Sequence, residues 1–328
     1  MAAGAARVVV TDYTFPDLER ERRAAERHGA TFEAHQCRTA GEVAEAVRGA
    51  TVAVVQFAPC DARAIEGLAP GATLLRYGIG YDNIDVSAAM ARSVPVGYVP
   101  DYCIDEVADH TVALLLALLR KVTALDASVR AGRWDAVGVA RPLRPFGETT
   151  IGLLGFGRIG RQVWERLKPF GFSFIVADPM LGAAQAASLG VRLVDHATLF
   201  RESDALSLNA PAVADTVGIV RADNLRRMKR DAVIVNTSRG KLVVEDDLAA
   251  ALVEGVIAGA ALDVFEREPL PEDSPLRKAP NLLLTPHAAW YSDSAIGRLQ
   301  QLIADDIEAA LTGGKPRRLV PEMQEGGN

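Results

Sequence analysis

Two long stretches of the chain alternate short aliphatic and β-branched runs with charged runs of helical length. The first covers residues 7–99 and opens with RVVV followed by DLERERRAAERHG. The second opens at residue 150 with TIGLL and continues to about residue 290. This alternation is typical of parallel sheets joined by crossover helices. It predicts an α/β protein with two doubly wound parallel sheets, in which the charged run Glu19 to Arg23 is the solvated face of the first helix.

The most apolar segment of the chain lies between these stretches. Residues 111–119 read TVALLLALL, about half the length that a membrane-spanning helix requires, and Asp109 and Arg120 flank them. We expect a buried helix from residue 104 to about 122, with an apolar surface broad enough for domain packing or a dimer contact. The N-terminal residues lack the apolar core of a secretory signal. These features predict a cytoplasmic protein with no membrane partner.

A glycine-rich turn, GFGRIG, opens the second stretch at residues 155–160. Gly155 would form the tight turn after the strand, Gly157 would let the backbone approach a pyrophosphate, and Gly160 would let the next helix pack closely. Asp178 ends the following apolar run, near the expected distance of about 20 residues. Its carboxylate can bind the ribose hydroxyls of NAD and would repel the 2′-phosphate of NADP. The turn therefore predicts NAD, preferred over NADP; the structural alternative is a plain βα turn with a surface aspartate.

The position of this turn also indicates the domain organisation. A dinucleotide site belongs to the first βα turn of its own sheet, so the strands before residue 150 belong to another domain. The last predicted helix, from about residue 293 to 311, can return to cover that first domain. We expect a nucleotide-binding domain of residues 103–290 that either follows the first, substrate-binding domain or is inserted into it; in the second case the first domain is discontinuous and consists of residues 1–102 and 291–328.

Composition narrows the class of protein. Of 328 residues, 49% are hydrophobic and 24% are charged, which is ordinary for a soluble protein of two domains. The formal net charge of −6 argues against a general nucleic-acid binder. The cysteines Cys37, Cys60 and Cys103 lack metal-ligand spacing. We expect reduced buried thiols and no metal site.

Three later strand ends of the second stretch carry side chains suited to catalysis. Arg239 follows AVIVNTS, Glu268 follows GAALDVFER, and His287 follows NLLLTP. Since ligands bind at the carboxyl ends of parallel strands, these side chains should converge. An arginine grips a carboxylate bidentately, a histidine transfers a proton to oxygen, and a carboxylate orients the imidazole. The set suits the reduction of a 2-keto acid, although each residue alone also fits a structural or solvated role.

Together, these motifs resemble the D-isomer-specific 2-hydroxyacid dehydrogenase family over nearly the whole chain. The matching segments are RYGIGYDNID, GFGRIG with Asp178, VNTSRG, AALDVFEREP and TPHAAW. The resemblance implies a Rossmann NAD-binding domain inserted into a flavodoxin-like substrate-binding domain, a cleft that closes by a hinge, and a homodimer. It also implies that Arg239 binds the substrate carboxylate and carbonyl. Glu268 would support the histidine, and His287 would be the acid in reduction and the base in oxidation.

The resemblance further implies a set of cofactor contacts. Asp263 would hold the nicotinamide carboxamide, and other contacts would come from the glycine loop, the loop LNAPAVADT and the VNTSRG motif. Asn209 departs from the family pattern, because many members carry histidine there. The predicted cofactor-binding residues are Gly155, Phe156, Gly157, Arg158, Ile159, Gly160, Asp178, Asn209, Pro211, Thr216, Thr237, Ser238, Asp263 and His287.

Within the family, TPHAAWYSDSA and RYGIGYDNID are most similar to the C-terminal binding protein branch, whose animal members are NAD(H)-sensing corepressors. This similarity implies that Arg76 and Trp290 face the substrate and that the Ile79 and Gly80 amides meet its carboxylate. The alternatives are a surface position for Arg76 and a core or dimer-interface position for Trp290. Tyr77 and Tyr102 are added as candidate pocket walls. The predicted substrate-binding residues are Arg76, Tyr77, Ile79, Gly80, Arg239 and Trp290.

The absence of the long polar tails of the animal corepressors favours a compact bacterial-type enzyme. We expect an NAD-dependent oxidoreductase that interconverts a small 2-keto acid and its D-2-hydroxy acid. The sequence does not specify the substrate side chain or the direction of flux. Two alternatives are open: an NAD(H)-gated dimeric binding protein with little turnover, and a dehydrogenase acting on formate or phosphite.

Overall fold

The computed structural model describes residues 5–324, which divide into two compact units. One unit contains the described residues up to Tyr102 and from Ser292 onward, and the other contains Cys103–Tyr291. This division differs from the expected domain boundaries only at Tyr291, which lies in the second unit.

The first unit begins with strictly alternating strands and helices. These are β1 (Arg7–Val10), α1 (Glu19–Arg27), β2 (Thr31–Ala34), α2 (Ala40–Ala46), β3 (Val52–Val55), α3 (Ala62–Glu66), β4 (Thr73–Arg76), α4 (Val86–Ala91) and β5 (Val96–Tyr98). The strands form a parallel sheet in the order β2-β1-β3-β4-β5. Every residue of β3 is buried, as expected for a central strand covered on both faces. One expectation is wrong: Glu21 of α1 is fully buried, so this charged run is not wholly solvated.

The second unit holds three helices followed by a longer α/β alternation. Its elements are α5 (Ile104–Leu119), α6 (Val122–Arg130), α7 (Ala136–Ala140), β6 (Thr150–Leu154), α8 (Arg158–Leu167), β7 (Ser173–Ala177), α9 (Ala183–Leu189), β8 (Arg192–Leu193), α10 (His196–Glu202), β9 (Ala205–Leu208), α11 (Ala222–Leu225), β10 (Val233–Asn236), α12 (Glu245–Val253), β11 (Gly259–Leu262) and β12 (Leu282–Leu284). Its parallel sheet has the order β12-β11-β10-β9-β6-β7-β8. Short 3₁₀ turns occur at Phe146–Glu148, Lys168–Phe170, Gly240–Leu242 and Pro275–Lys278.

Hydrophobic clusters cover both faces of the seven-stranded sheet. Along β7, Ile175 and Ala177 belong to one cluster, whereas Phe174 and Val176 belong to the other. This division follows the alternation of side chains along a strand. Helix α5 contributes Leu115 to the second cluster and ends at Leu119, slightly earlier than predicted. Within residues 5–324, none of the helices combines the length and apolar character that crossing a bilayer requires.

The chain returns to the first unit through α13 (Asp293–Leu311) and α14 (Pro321–Gln324). The Ser292 side chain caps α13 by accepting a hydrogen bond of 2.9 Å from the Ala295 amide. Helix α13 packs against α1. The predicted last helix and its place on the first unit are therefore confirmed.

Six strands of the seven-stranded sheet, all except β8, end in register at their carboxyl ends. Across the sheet from β7 to β12, paired residues are Ala177, Leu154, Leu208, Asn236, Leu262 and Leu284. The residues that follow them therefore form one row along the sheet edge: Asp178, Gly155, Asn209, Thr237, Asp263 and Thr285. Five of these six are predicted site residues, so the strand register supplies the expected convergence.

Candidate active site

The glycine turn after β6 requires glycine at two positions by its geometry. Gly155 has a φ of +89°, and a Cβ on it would lie 2.7 Å from the Asn209 carbonyl oxygen. A Cβ on Gly160 would lie 2.4 Å from the carbonyl oxygen of Gly155. Any side chain at these positions would therefore displace the backbone of the turn or of the neighbouring loop.

The amino terminus of α8 fits a pyrophosphate. Gly157 is the N-cap of this ten-residue helix and supplies no side-chain hydrogen bond. Apart from Gly157 itself and its two chain neighbours, no described residue has a heavy atom within 4 Å of the position of a Cβ on Gly157. Gly157 and Arg158 are exposed and Ile159 is half-buried. First-turn amides and the positive end of the helix dipole at an open surface suit an anion.

Asp178 is anchored to the same turn. Its Oδ2 accepts a hydrogen bond of 2.5 Å from the Phe156 amide, and its Oδ1 accepts one of 2.7 Å from the Met180 amide. The Phe156 side chain is buried and stacks edge-on against Trp164, with ring centroids 5.8 Å apart. Phe156 therefore differs from the simple expectation of a cofactor contact, since its side chain is in the core and its amide already binds Asp178.

The loop after β9 is closed by its own hydrogen bonds. The Thr216 hydroxyl donates to the Pro211 carbonyl oxygen at 2.5 Å and accepts from the Val213 amide at 2.9 Å. Asn209 donates to the Ser207 carbonyl oxygen at 3.2 Å. These bonds shape the predicted cofactor loop from within.

Hydroxyl groups of the VNTSRG segment tie it to its neighbours. Ser238 donates to the Ala210 carbonyl oxygen at 2.6 Å. The buried Thr237 hydroxyl lies 2.6 Å from that of Thr111 on α5. These two predicted cofactor residues therefore also hold adjacent elements together.

Arg239 sits on a turn fixed by a residue that sequence analysis missed. The fully buried Asn236 side chain donates to the Arg239 carbonyl oxygen at 2.8 Å and accepts from the Ser238 amide at 3.0 Å. A Cβ on Gly240 would lie 1.9 Å from the carbonyl carbon of Phe265. The arginine turn is thus pressed against the segment that leads to Glu268. In the sequence, Asn236 can be recognised only as the asparagine that opens the NTSRG motif.

Glu268 and His287 form a direct pair. His287 Nδ1 lies 2.6 Å from Glu268 Oε2, and Glu268 Oε1 accepts a hydrogen bond of 2.9 Å from the Phe265 amide. About one third of each side chain is exposed to solvent. The structure thus brings together two of the three side chains predicted to do the chemistry.

The electrostatics of this pair keep the carboxylate ionised. Burial acts to raise the pKa of Glu268. The hydrogen bond and charge of His287, the hydrogen bond from the Phe265 amide and the charge of Arg239 act to lower it. Together they outweigh burial, so the pKa of Glu268 is lowered. An ionised carboxylate can only accept hydrogen bonds. Nδ1 of His287 therefore carries a proton, and the imidazole is held in one tautomer or as a cation.

Asp263 docks the loop that carries His287. Its buried carboxylate accepts hydrogen bonds from the Thr285 hydroxyl at 2.6 Å, the Ala288 amide at 2.8 Å and the Ala289 amide at 2.9 Å. Its carbonyl oxygen accepts from the His287 amide at 2.7 Å. Both carboxylate oxygens are therefore engaged within the protein, in addition to any contact with a nicotinamide.

The predicted substrate residues of the first unit lie at the end of β4, which Arg76 closes, and in the loop that follows it. The guanidinium of Arg76 lies across Gly78, since Nη1 is 2.3 Å from the position of a Cβ on that glycine, whose φ is +134°. Ile79 and Gly80 are half-buried. Among the described residues, neither of their amides donates a hydrogen bond. The Tyr102 hydroxyl lies 3.7 Å from the same Cβ position on Gly78.

Tyr77 is a correction to the expected pocket. Its side chain is 1% exposed and its hydroxyl donates to Glu21 at 2.8 Å. Side chains alternate along an extended chain, so Tyr77 points away from the face that carries Arg76, and its ring lies in the core of the first unit. Trp290 belongs to the second unit, where its half-buried ring stacks edge-on against Tyr291 at 5.9 Å.

Cysteines and metal ligands add little to the site. Cys60 and Cys103 are buried thiols outside any disulfide, whereas Cys37 is only partly buried, contrary to expectation. Burial raises the pKa of Cys60 to about 12. Across residues 5–324, no three His, Cys, Asp or Glu side chains are grouped so that they could hold a metal ion.

Comparison with known proteins decides the family. Residues 112–289 match the model described as D-isomer specific 2-hydroxyacid dehydrogenase, NAD binding domain. The chain belongs to the D-isomer specific 2-hydroxyacid dehydrogenase family. It is similar to the glyoxylate reductase of Korarchaeum cryptofilum, with 40% identity over 266 residues, covering 80% of each protein. It is also similar to the glycerate dehydrogenase of Methylorubrum extorquens, with 32% identity over 290 residues, or 86% of this chain and 89% of that one.

The fold agrees with this assignment. The TT0316 protein from Thermus thermophilus superposes with a TM-score of 0.84 at 32% identity, covering 96% of this chain and 99% of that one. The predicted pair of parallel α/β sheets, the NAD cofactor and the class of reaction are confirmed. The chain is an NAD-dependent oxidoreductase of 2-hydroxy acids. Its place in the C-terminal binding protein branch stays a prediction.

Proposed function

We propose that the protein reduces a small 2-keto acid, of the size of glyoxylate or hydroxypyruvate, through Arg239, Glu268 and His287. The observation that carries this proposal is the 2.6 Å pair of Glu268 and His287, on the sheet edge that also bears the glycine turn. The names of the two relatives, a glyoxylate reductase and a glycerate dehydrogenase, support a small substrate.

The proposed roles follow from the donor and acceptor chemistry. Arg239 grips the substrate carboxylate with its guanidinium fork. His287 donates a proton from Nε2 to the carbonyl oxygen as that oxygen becomes a hydroxyl, while Glu268 stabilises the imidazolium. Bound NADH supplies the hydride. In oxidation His287 takes the proton back, so the same pair serves both directions.

The remaining site residues are proposed as binding groups. The Ile79 and Gly80 amides suit a substrate carboxylate, and Arg76 suits a second anionic or polar group. Trp290 is proposed as a wall of the substrate pocket. At the cofactor, the turn at residues 155–160 is proposed to bind the pyrophosphate.

We further propose NAD over NADP as cofactor, and a homodimer as the assembly. The Asp178 carboxylate, fixed by two backbone amides, supports the cofactor preference because it can accept from ribose hydroxyls and repels phosphate. Exposed apolar side chains of α6, α7 and their connection support the dimer. Trp134 is 92% exposed and Val137 71% exposed.

The proposal is tested by following NADH oxidation with a panel of 2-keto acids, from glyoxylate and hydroxypyruvate to dianionic and aromatic members. Replacing His287 with Ala should lower kcat at least about 100-fold, whereas the variant should still bind NADH. The exposed His28, replaced with Ala, is the control and should leave kcat unchanged. Unchanged turnover in H287A contradicts the catalytic assignment.

The same panel separates the alternative functions. Tight NADH binding without turnover of any keto acid, together with dimerisation that depends on cofactor, would favour the NAD(H)-gated binding protein. Turnover of formate or phosphite without turnover of a keto acid would favour the other dehydrogenase class.

A further inference from the structure

The His110 imidazole and the Thr285 hydroxyl lie next to the Asp263 carboxylate, which binds the loop that carries His287. His110 of α5 places Nε2 3.1 Å from Thr285 Oγ1 and 3.8 Å from Asp263 Oδ1. Thr285 Oγ1 in turn lies 2.6 Å from Asp263 Oδ1. All three residues belong to the second unit.

The direction of these hydrogen bonds follows from the available protons. The Asp263 carboxylate also accepts from the Ala288 and Ala289 amides, so it acts as an acceptor, and the single hydroxyl proton of Thr285 points to it. The Thr285 oxygen must then accept from His110. His110 therefore carries a proton on Nε2, which gives a chain from His110 through Thr285 to Asp263.

This chain supports a buried negative charge. Asp263 is fully buried, and among residues 5–324 no lysine or arginine nitrogen lies within 4.0 Å of its carboxylate. A hydroxyl that accepts from an imidazole is a stronger donor to a carboxylate, because successive hydrogen bonds polarise one another. His110 thus strengthens the bond that holds Asp263 in place as an acceptor.

The loop so anchored is held in a demanding conformation. His287 has a φ of +52°, a region that residues other than glycine seldom adopt and keep only when their surroundings fix them. Its amide and the next two amides all bind Asp263. Loosening Asp263 therefore frees the backbone that directs the His287 imidazole.

We propose that His110 is a positioning residue for His287, acting through Thr285 and Asp263. The inference rests on the proposed role of His287 as proton donor. It assigns a function to a histidine outside the predicted site and to the first residue of the TPH motif.

Two pairs of variants test this role by kinetics. His110→Phe keeps an aromatic ring but removes the donor, whereas His110→Gln keeps an N–H near Nε2; Thr285→Val removes the hydroxyl, whereas Thr285→Ser keeps it. H110F and T285V should each lower kcat about 10-fold or more, with the KM of the keto acid and the Kd of NADH within about 2-fold of wild type. H110Q and T285S should stay within about 3-fold of the wild-type kcat.

A second measurement does not depend on turnover. Hydrogen exchange of the peptide that contains residues 285–291, measured without substrate, should be faster in H110F and T285V than in wild type, H110Q and T285S. If wild type reduces no keto acid, the proposed function fails, and the exchange data still decide the role of His110.

Three results would overturn the inference. The first is a kcat of H110F equal to that of wild type. The second is hydrogen exchange of residues 285–291 that is unchanged in both H110F and T285V. Equal losses in all four variants, which would indicate packing instead of hydrogen bonding, is the third.

Discussion

The buried carboxyl of Glu21 makes folding stability depend on pH near neutrality. Glu21 is fully buried on α1, where it accepts from the Tyr77 hydroxyl at 2.8 Å and from the Gln300 amide at 3.4 Å. Burial raises its pKa to about 7, although its own backbone, Tyr77 and Gln300 act to lower it. An unfolded chain would return this carboxyl to the ordinary value of 4.5.

The sign follows from proton binding. Between the two pKa values the folded protein holds the Glu21 proton and the unfolded chain has released it, so raising the pH favours unfolding. The contribution to stability is greatest below pH 4.5, declines as the pH rises, and is lost above about 7. At about 1.36 kcal/mol per pH unit, the whole interval corresponds to about 3 kcal/mol, most of it between pH 5 and 8.

Replacing Glu21 with Gln isolates this contribution from every other titrating group. The free energy of unfolding of E21Q minus that of wild type should rise by about 2 to 3 kcal/mol between pH 5 and pH 8. With ordinary urea sensitivity, this is a relative shift of about 1 M in the unfolding midpoint. The matched control is the exposed Glu19 on the same helix, for which E19Q should show no such rise.

Urea unfolding followed by far-UV circular dichroism is the appropriate assay. All three tryptophans, Trp134, Trp164 and Trp290, lie in the second unit, so their fluorescence separates its transition from that of the first unit. A stability difference between E21Q and wild type that stays constant from pH 5 to 8 would refute the assignment of a neutral buried carboxyl.

Two further predictions concern the cofactor and the assembly. Asp178→Asn keeps an acceptor for the Phe156 amide but removes the negative charge. The ratio of kcat/KM with NADH to kcat/KM with NADPH should therefore fall at least about 10-fold. An unchanged ratio would mean that another group excludes the 2′-phosphate. Trp134→Ser should raise the dimer dissociation constant at least about 10-fold in sedimentation equilibrium. The control is the exposed Met180, whose replacement with Ser should leave this constant unchanged. A W134S protein with the wild-type dimer affinity would place the interface elsewhere.

The sequence was sufficient for features that local pattern and strand register determine together. Apolar runs followed by GFGRIG, VNTSRG and TPH predict strand ends, and parallel strands in register bring such ends into one row. Glu268 and His287 could therefore be placed side by side although 19 positions separate them in the sequence. The same reasoning placed Arg239 on a neighbouring strand end.

Side-chain direction inside the first unit was not available from pattern alone. Glu21 lies in a run of charged residues, and only the position of α1 over Tyr77 and Gln300 makes its burial tolerable. Tyr77 follows Arg76 directly, and the alternation beyond the end of β4 decides that the two point to opposite faces. Both facts require the packed unit, since neither residue type specifies its partner.

For Asp263 the sequence predicts one role, and the structure adds a second. An aspartate directly after a buried strand fits a ligand for the cofactor, and the motif carries no sign that the same carboxylate holds a returning loop. That second role exists because β12 lies next to β11 in register, which brings Thr285, Ala288 and Ala289 within hydrogen-bonding distance. Asp263 therefore fixes the loop that carries His287, and it also lies in the row of residues that follow the strands at the carboxyl edge of the sheet. Its substitution would therefore change both the orientation of His287 and any cofactor contact, which is why variants of His110 and Thr285 separate the two roles better than a variant of Asp263 itself.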